Sequence, residues 1–182
     1  MDHLEAIVEI KNVISDAFID KTIPLINKKS KKKLSIGVGK LDTNIRNVEG
    51  YSLKNKTPTD IYYFHYITKE IERIYTFYKA KFPKMASSLI NQIDLLKYSP
   101  GGKYEIHTDH YTTSARHLSI IINLNDDYEG GDLIFTDQKQ KEIKRLKLGK
   151  GSIVFFPSNF MYPHSIEPIT KGTRYSIVSW LQ

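Results

Sequence analysis

The 182-residue sequence contains no cysteine. That absence excludes disulfides, zinc knuckles, thiolate nucleophiles and iron–sulfur clusters together, so any metal must be held by histidine and carboxylate. Long apolar runs are missing as well: no stretch approaches the roughly 18 residues of a membrane span. Met1-Asp2-His3-Leu4-Glu5 does not join a basic segment to an apolar one. A soluble, cytoplasmic protein with no membrane partner is expected. There is no internal repeat, and tryptophan occurs once, but twelve tyrosines and eight phenylalanines supply large apolar bodies along the chain. With 40% hydrophobic content, this length suits one sizeable core rather than two. Acidic residues are outnumbered, giving a formal charge of +7, yet much of the excess is local to Lys28–Lys33. That run reads as a solvated connection after a helix rather than as a nucleic-acid site.

Ala6 to Ile14 alternates loosely and carries β-branched residues, which suggests a first strand, although the spacing also permits a helix. Asp20 is placed as the N-cap of a short helix starting near Lys21, with Pro24 still close to its first turn and the lysine run ending it. Ser35 to Lys56 shows little periodicity and reads as a loop with one short strand. After Pro58, Thr59 is expected as an N-cap with Asp60 in the first turn. Ile61, Phe64, Ile67, Ile71, Ile74 and Tyr78 then recur at helical spacing as far as Pro83. His65 and the tyrosines of this helix are assigned to packing. From Gln92 onward come short β-rich runs: 93–98, 104–107, 118–124, 133–136, 143–146, 152–156 and 175–181. Glycines at 130, 131, 149 and 151 sit where tight turns are expected between them. Closely spaced strands of this kind indicate a sandwich or barrel.

His107-Thr108-Asp109 places two ligand-type residues at i and i+2, which on a strand point to one side. His164, after Tyr162-Pro163, completes two imidazoles and a carboxylate, the set that leaves open positions in non-haem Fe(II) oxygenases. An HxD alone also fits surface residues or a structural ion pair. What sharpens the reading is the order Tyr98, His107-x-Asp109, a strand-rich interval, His164 and then Arg174-Tyr175-Ser176. Arg174 lies in an otherwise uncharged strand, where a lone guanidinium is costly to bury and needs an anion. Its planar fork matches a carboxylate, and the hydroxyls of Ser176 and Tyr98 could add donors. A salt bridge to an internal Asp or Glu is the alternative.

Tyr98-Ser-Pro-Gly-Gly-Lys-Tyr104-Glu-Ile-His107-Thr-Asp109, the turn Glu129-Gly-Gly-Asp-Leu133 and the run Gly151 to Pro157 leading to His164 resemble the prolyl 4-hydroxylase-like branch of the 2-oxoglutarate/Fe(II) dioxygenases. The likeness is good over the last half and only in outline over the first ninety residues. It implies an α+β chain: a double-stranded β-helix, a jelly-roll or cupin-like barrel, with N-terminal helices packed on one sheet. One domain spans 1–182, with 1–90 as a support region and 91–182 as the core barrel. The resemblance makes His107, Asp109 and His164 the ligands of Fe(II), with Arg174, Ser176 and Tyr98 binding the distal carboxylate of 2-oxoglutarate. It puts Arg116, Tyr104 and Trp180 near the substrate groove. Arg116 also fits a surface strand and Trp180 the core. O2 is the other reactant, and ascorbate is expected to support activity.

The implied reaction is hydroxylation of a prolyl residue of a peptide or protein, with release of succinate and CO2. Relatives acting on collagen commonly have Lys where this chain has Arg174, which disfavours collagen. Asp109 favours hydroxylation over halogenation. Oxygenases acting on nucleic acid typically carry a second Arg six positions after the co-substrate Arg, where this chain has Trp180, so a nucleic-acid partner is disfavoured. A small-molecule oxygenase and an inactive barrel serving as a binding module stay open as alternatives. The oligomeric state is not legible.

Overall fold

The computed structural model describes residues 3–35, 41–54, 56–85, 89–110 and 115–182. A 3-10 turn at His3–Ala6 leads to β1 (Val8–Ile10), and helix α1 (Asp16–Lys29) precedes the short strands β2 (Lys32–Lys33), β3 (Arg46–Asn47) and β4 (Glu49–Ser52). Helix α2 (Pro58–Lys81) is followed by β5 (Ile90–Tyr98), β6 (Lys103–His107), β7 (Leu118–Asn123), β8 (Glu129–Gly130) and β9 (Leu133–Thr136). The chain closes with β10 (Glu142–Leu146), β11 (Ser152–Pro157), β12 (His164–Ile166), β13 (Ile169–Lys171) and β14 (Arg174–Leu181). A seven-stranded sheet runs β1-β11-β7-β14-β5-β4-β2, a five-stranded sheet runs β10-β9-β12-β6-β3, and β13 pairs with β8. The architecture is the expected α+β double-stranded β-helix.

Burial on both faces explains why the central strands of the large sheet are apolar at nearly every position. Along β11, Ile153 and Phe155 pack toward the helices while Val154 and Phe156 pack between the sheets. Along β7, Ile120 and Ile122 take the helix side and Ile121 the inner side. The stripe Ile67, Ile71, Ile74 and Tyr78 of α2 joins the outer core, each such side chain contributing roughly 1.5–3 kcal/mol by leaving water. The inner core includes Leu96, Tyr98, Leu133, Phe135, Phe156 and Ile166, of which Leu96, Tyr98 and Ile166 also line a pocket. No helix among the described residues is long and apolar enough to cross a membrane.

The seven expected C-terminal strands lie within a few residues of their bounds, but β8, β12 and β13 are additional to them and both helix starts differ. Ser15, not Asp20, caps α1 by accepting from the Phe18 amide at 3.2 Å. Pro24 therefore sits inside the helix, where its missing N–H normally costs about 3 kcal/mol. Phe18, Ile19, Thr22, Leu25 and Ile26 form a buried stripe spanning it, so packing holds the helix through the proline. Thr57, not Thr59, caps α2, its hydroxyl accepting from the Asp60 amide at 3.1 Å, and Pro58 takes the first helical position where no N–H is needed. The expected first strand is three residues long, preceded by the 3-10 turn. The stretch 35–56 holds two short strands, β3 and β4, among its described residues rather than one, while 36–40 and 55 lie outside them.

Candidate active site

Strand pairing brings the ligand-type residues together. His107 ends β6 and His164 opens β12, and the two are direct partners across antiparallel strands. Asp109 follows two residues past the strand end, on the side that His107 faces. One ligand atom from each of the three lies within 4.8 Å of the others. Asp109 Oδ1 is 3.6 Å from His107 Nε2, and its Oδ2 is 3.6 Å from His164 Nε2. Asp109 and His164 are buried, and His107 is half-buried at the mouth.

The backbone fixes the tautomer of both rings. His107 Nδ1 is 2.8 Å from the Glu105 carbonyl oxygen and His164 Nδ1 is 3.1 Å from that of Tyr162. A carbonyl oxygen only accepts, so each Nδ1 carries the proton and each Nε2 presents a lone pair beside the Asp109 carboxylate. Burial pushes the His164 imidazole down to about 4, which keeps that lone pair available at neutral pH. Burial alone would raise the Asp109 carboxyl. His164, His107 and the Ser119 hydroxyl outweigh it and hold the group well below the usual carboxylate range. Ser119 Oγ donates to Asp109 Oδ2 at 2.7 Å and lies 2.8 Å from Ser158 Oγ.

A pocket of about 400 Å³, its open mouth included, joins this group to Arg174 between the apolar walls Leu96, Ile121, Ile166 and Val178. Tyr98, Tyr104, Trp180 and Arg46 line it as well. Arg174 is 1% exposed, and its guanidinium lies 5.3 Å from the ring centre of Tyr98, its partner across β5 and β14. Its Nε donates to Asn123 Oδ1 at 3.1 Å, while the buried Nη2 has no hydrogen-bond partner among the described residues. No described carboxylate pairs with Arg174, so the internal salt bridge weighed as its alternative is absent among the described residues. Ser176, two residues along the same strand face, is wholly buried, and its hydroxyl also lacks a partner there. Gly131, at φ 71°, keeps this end open, since a Cβ there would collide with Ile169 and press on Arg174 Cδ.

Of the remaining predicted residues, Tyr104 and Trp180 line the pocket and Arg116 does not. Tyr104 stacks on His107 at 3.6 Å between ring centres, with the Arg46 guanidinium 4.7 Å from the Tyr104 ring on β3. Arg116 is neither an isolated surface residue nor a wall of the pocket: it lies 3.6 Å from the ring centre of Trp180 and donates to Gln92 Oε1 at 3.0 Å and to the Asp109 carbonyl at 3.4 Å. Trp180 is 4% exposed yet lines the pocket, and its indole N–H has no hydrogen-bond partner among the described residues.

Residues 93–182, which hold every residue named for the ligand set and the Arg174 recess, match the model of the 2OG-Fe(II) oxygenase superfamily. These residues, the C-terminal part of the chain, belong to that superfamily. It is 31% identical over 124 residues to a PKHD-type hydroxylase of Synechococcus sp. (strain JA-2-3B'a(2-13)), a match covering 64% of this chain and 52% of the relative. The chain thus spans about half the length of this relative. The fold is similar to a prolyl hydroxylase in complex with a hypoxia inducible factor oxygen degradation domain peptide fragment from Trichoplax adhaerens. There the TM-score is 0.78 at 14% identity, covering 99% of this chain and 86% of the other. It is also similar to a Pseudomonas putida prolyl-4-hydroxylase, with a TM-score of 0.73 at 17% identity over 100% of this chain and 96% of that one.

The superfamily implies Fe(II) and 2-oxoglutarate with O2, and the residues present fit both groups. Two imidazoles and a carboxylate without thiolate suit Fe(II). An apolar recess ending in a guanidinium N–H and a hydroxyl that have no partner among the described residues suits a carboxylate. His107, Asp109 and His164 could hold the first; Arg174, Ser176 and Tyr98 could hold the second. Sequence reasoning missed Arg46, which lies in an unpatterned stretch. It also missed Ser119 and Asn123, although both are visible as polar interruptions in Leu118-Ser119-Ile120-Ile121-Ile122-Asn123-Leu124.

Proposed function

We propose that this protein is an Fe(II)- and 2-oxoglutarate-dependent hydroxylase acting on a prolyl residue of a peptide or protein. The observation that carries the reading is one pocket joining three converging ligand atoms to a buried guanidinium with a donor that no described residue engages. The prolyl substrate is supported by the names of the relatives, PKHD-type hydroxylases, and of neighbours in fold that are prolyl hydroxylases, one in complex with a peptide. When bound by His107, Asp109 and His164, iron would supply O2 activation coupled to decarboxylation of 2-oxoglutarate. One oxygen atom ends in succinate and the other in the substrate hydroxyl group, with CO2 released. Arg174, Ser176 and Tyr98 orient the co-substrate by its distal carboxylate, and the apolar walls exclude water from the reacting centre. Tyr104, Arg116 and Trp180 would orient the peptide at the mouth.

The test is incubation of the purified protein with Fe(II), ascorbate, 2-oxoglutarate and a set of proline-containing peptides. The expected result is peptide-dependent succinate with a matching gain of one oxygen atom on proline. Oxygen found on another residue type would overturn the prolyl assignment, and absence of 2-oxoglutarate binding would overturn the whole reading.

A further inference from the structure

We infer that Asn123, through its hydrogen bond to Arg174, is the positioning residue that makes the pocket prefer a 2-oxo acid with a distal carboxylate; the inference rests on the role proposed above for Arg174. Asn123 ends β7, lies opposite Ser176 of β14 and Ser152 of β11, and is wholly buried. A buried amide in an apolar strand is costly unless its polar atoms are engaged. Here Nδ2 faces three carbonyl oxygens, those of Asn125 at 2.7 Å, Leu148 at 3.0 Å and Gly149 at 3.3 Å. Those oxygens can only accept, so they fix which way the amide points. Its Oδ1 must then face the other side, where it accepts from Arg174 Nε at 3.1 Å and from the Tyr128 hydroxyl at 3.3 Å.

Two consequences follow for Arg174. Anchoring Nε restricts rotation of the guanidinium and leaves Nη2, which no described residue engages, for whatever enters the recess. Because Asn123 offers a neutral acceptor, the positive charge is held in place without being compensated. A carboxylate at position 123 would anchor the same nitrogen but neutralise the charge. Asn123 is not itself a donor to the co-substrate, since its N–H groups are committed to backbone carbonyls. Both effects act on a ligand only through an anionic end, which separates positioning from support of the fold.

Mn(II)-loaded wild type, Asn123→Asp and Asn123→Ala would be titrated with 2-oxoglutarate and with 2-oxovalerate, which has the same carbon chain with a methyl group in place of the distal carboxylate. The wild type should bind 2-oxoglutarate more tightly. In both variants the preference should fall by about tenfold, in Asn123→Ala because a hydrogen bond to a charged group is lost and in Asn123→Asp because the charge is neutralised, with affinities for Mn(II) and 2-oxovalerate unchanged. Variants that keep the wild-type ratio, including variants that lose both acids in parallel, would overturn the inference. A wild type that binds both acids equally would instead overturn the role proposed for Arg174. A measurement that does not depend on folding of the variants is proton exchange at Arg174 Nε in wild type without 2-oxoglutarate: slow exchange supports the anchored guanidinium, and exchange as fast as that of a solvated arginine refutes it.

Discussion

Replacing Arg174 with Ala is the most direct perturbation of the proposed co-substrate site. In the native pocket the guanidinium is 1% exposed, tied at Nε by Asn123 and faced by the ring of Tyr98. Truncation would leave the distal carboxylate of 2-oxoglutarate in the recess with no opposite charge, and Asn123 Oδ1 without its strongest donor. Removing one partner of such a desolvated pair costs about 2–5 kcal/mol. In binding this is about thirty-fold to several-thousand-fold. Lys at 174 should recover part of the loss, because a point charge restores attraction without the two-pronged geometry. Met at 174 separates charge from packing, since it refills most of the space beside Gly131 and Tyr98 with no donor at all. Titrating 2-oxoglutarate into the Mn(II) forms of the four proteins decides the matter. The expected order of affinity is wild type, Lys, then Met and Ala together, with Mn(II) affinity alike in all four. Equal 2-oxoglutarate affinities would mean that Arg174 does not receive the co-substrate.

His164→Ala should abolish Mn(II) binding and succinate formation while leaving the circular dichroism spectrum native, because the imidazole serves the ion more than the core; undiminished metal affinity would refute the ligand set. Ser119→Ala should weaken Mn(II) binding by about 10–100-fold, the usual cost of losing a group that orients a ligand, here the hydroxyl 2.7 Å from Asp109 Oδ2; unchanged affinity would reduce Ser119 to packing. Asp60, buried in the first turn of α2, accepts from Tyr51 at 2.7 Å and from Lys29 at 3.0 Å. Burial works to raise its carboxyl, but these donors hold it below the usual 3.8. A carboxyl that releases its proton more readily in the folded state contributes stability fully above the unfolded value and loses it as pH falls through the folded one. Thermal melting should therefore weaken with acid from about pH 4 downward, and less steeply in Asp60→Asn. That variant should be less stable at neutral pH by about 1–3 kcal/mol, or roughly 2–12 °C. Identical pH dependence in the two proteins would refute the assignment.

How far the fold and the site can be read from sequence depends on whether a residue is defined by its own strand or by its neighbours. Most strands from Ile90 onward, β8, β12 and β13 excepted, are legible because burial on two faces leaves runs such as Ile120-Ile121-Ile122, and turns between them need glycine. His107 and Asp109 are legible because two-residue alternation alone puts them on one side. Arg174 stands out because nothing near it in sequence could neutralise it. By contrast, β12 is three residues with a polar centre and becomes a strand only because β6 and β9 flank it. The helix starts were misplaced for a related reason: Ser15 and Asp20 are both good caps, and what decides between them is the buried stripe from Phe18 to Ile26, which a proline at position 24 conceals.

Asn123 marks the boundary between these two cases. A polar residue within Ile120-Ile121-Ile122-Asn123-Leu124 announces that something at that depth requires an amide. The local pattern cannot say what, because the groups that orient it come from positions 125, 148 and 149 and the group it orients comes from 174. Alternation fixes the face a side chain takes, but charge and hydrogen-bond capacity decide its use once distant strands meet. That is why a neutral acceptor beside an uncompensated guanidinium is informative: Asp would have satisfied Nε equally well and would have neutralised the charge that the proposed co-substrate needs.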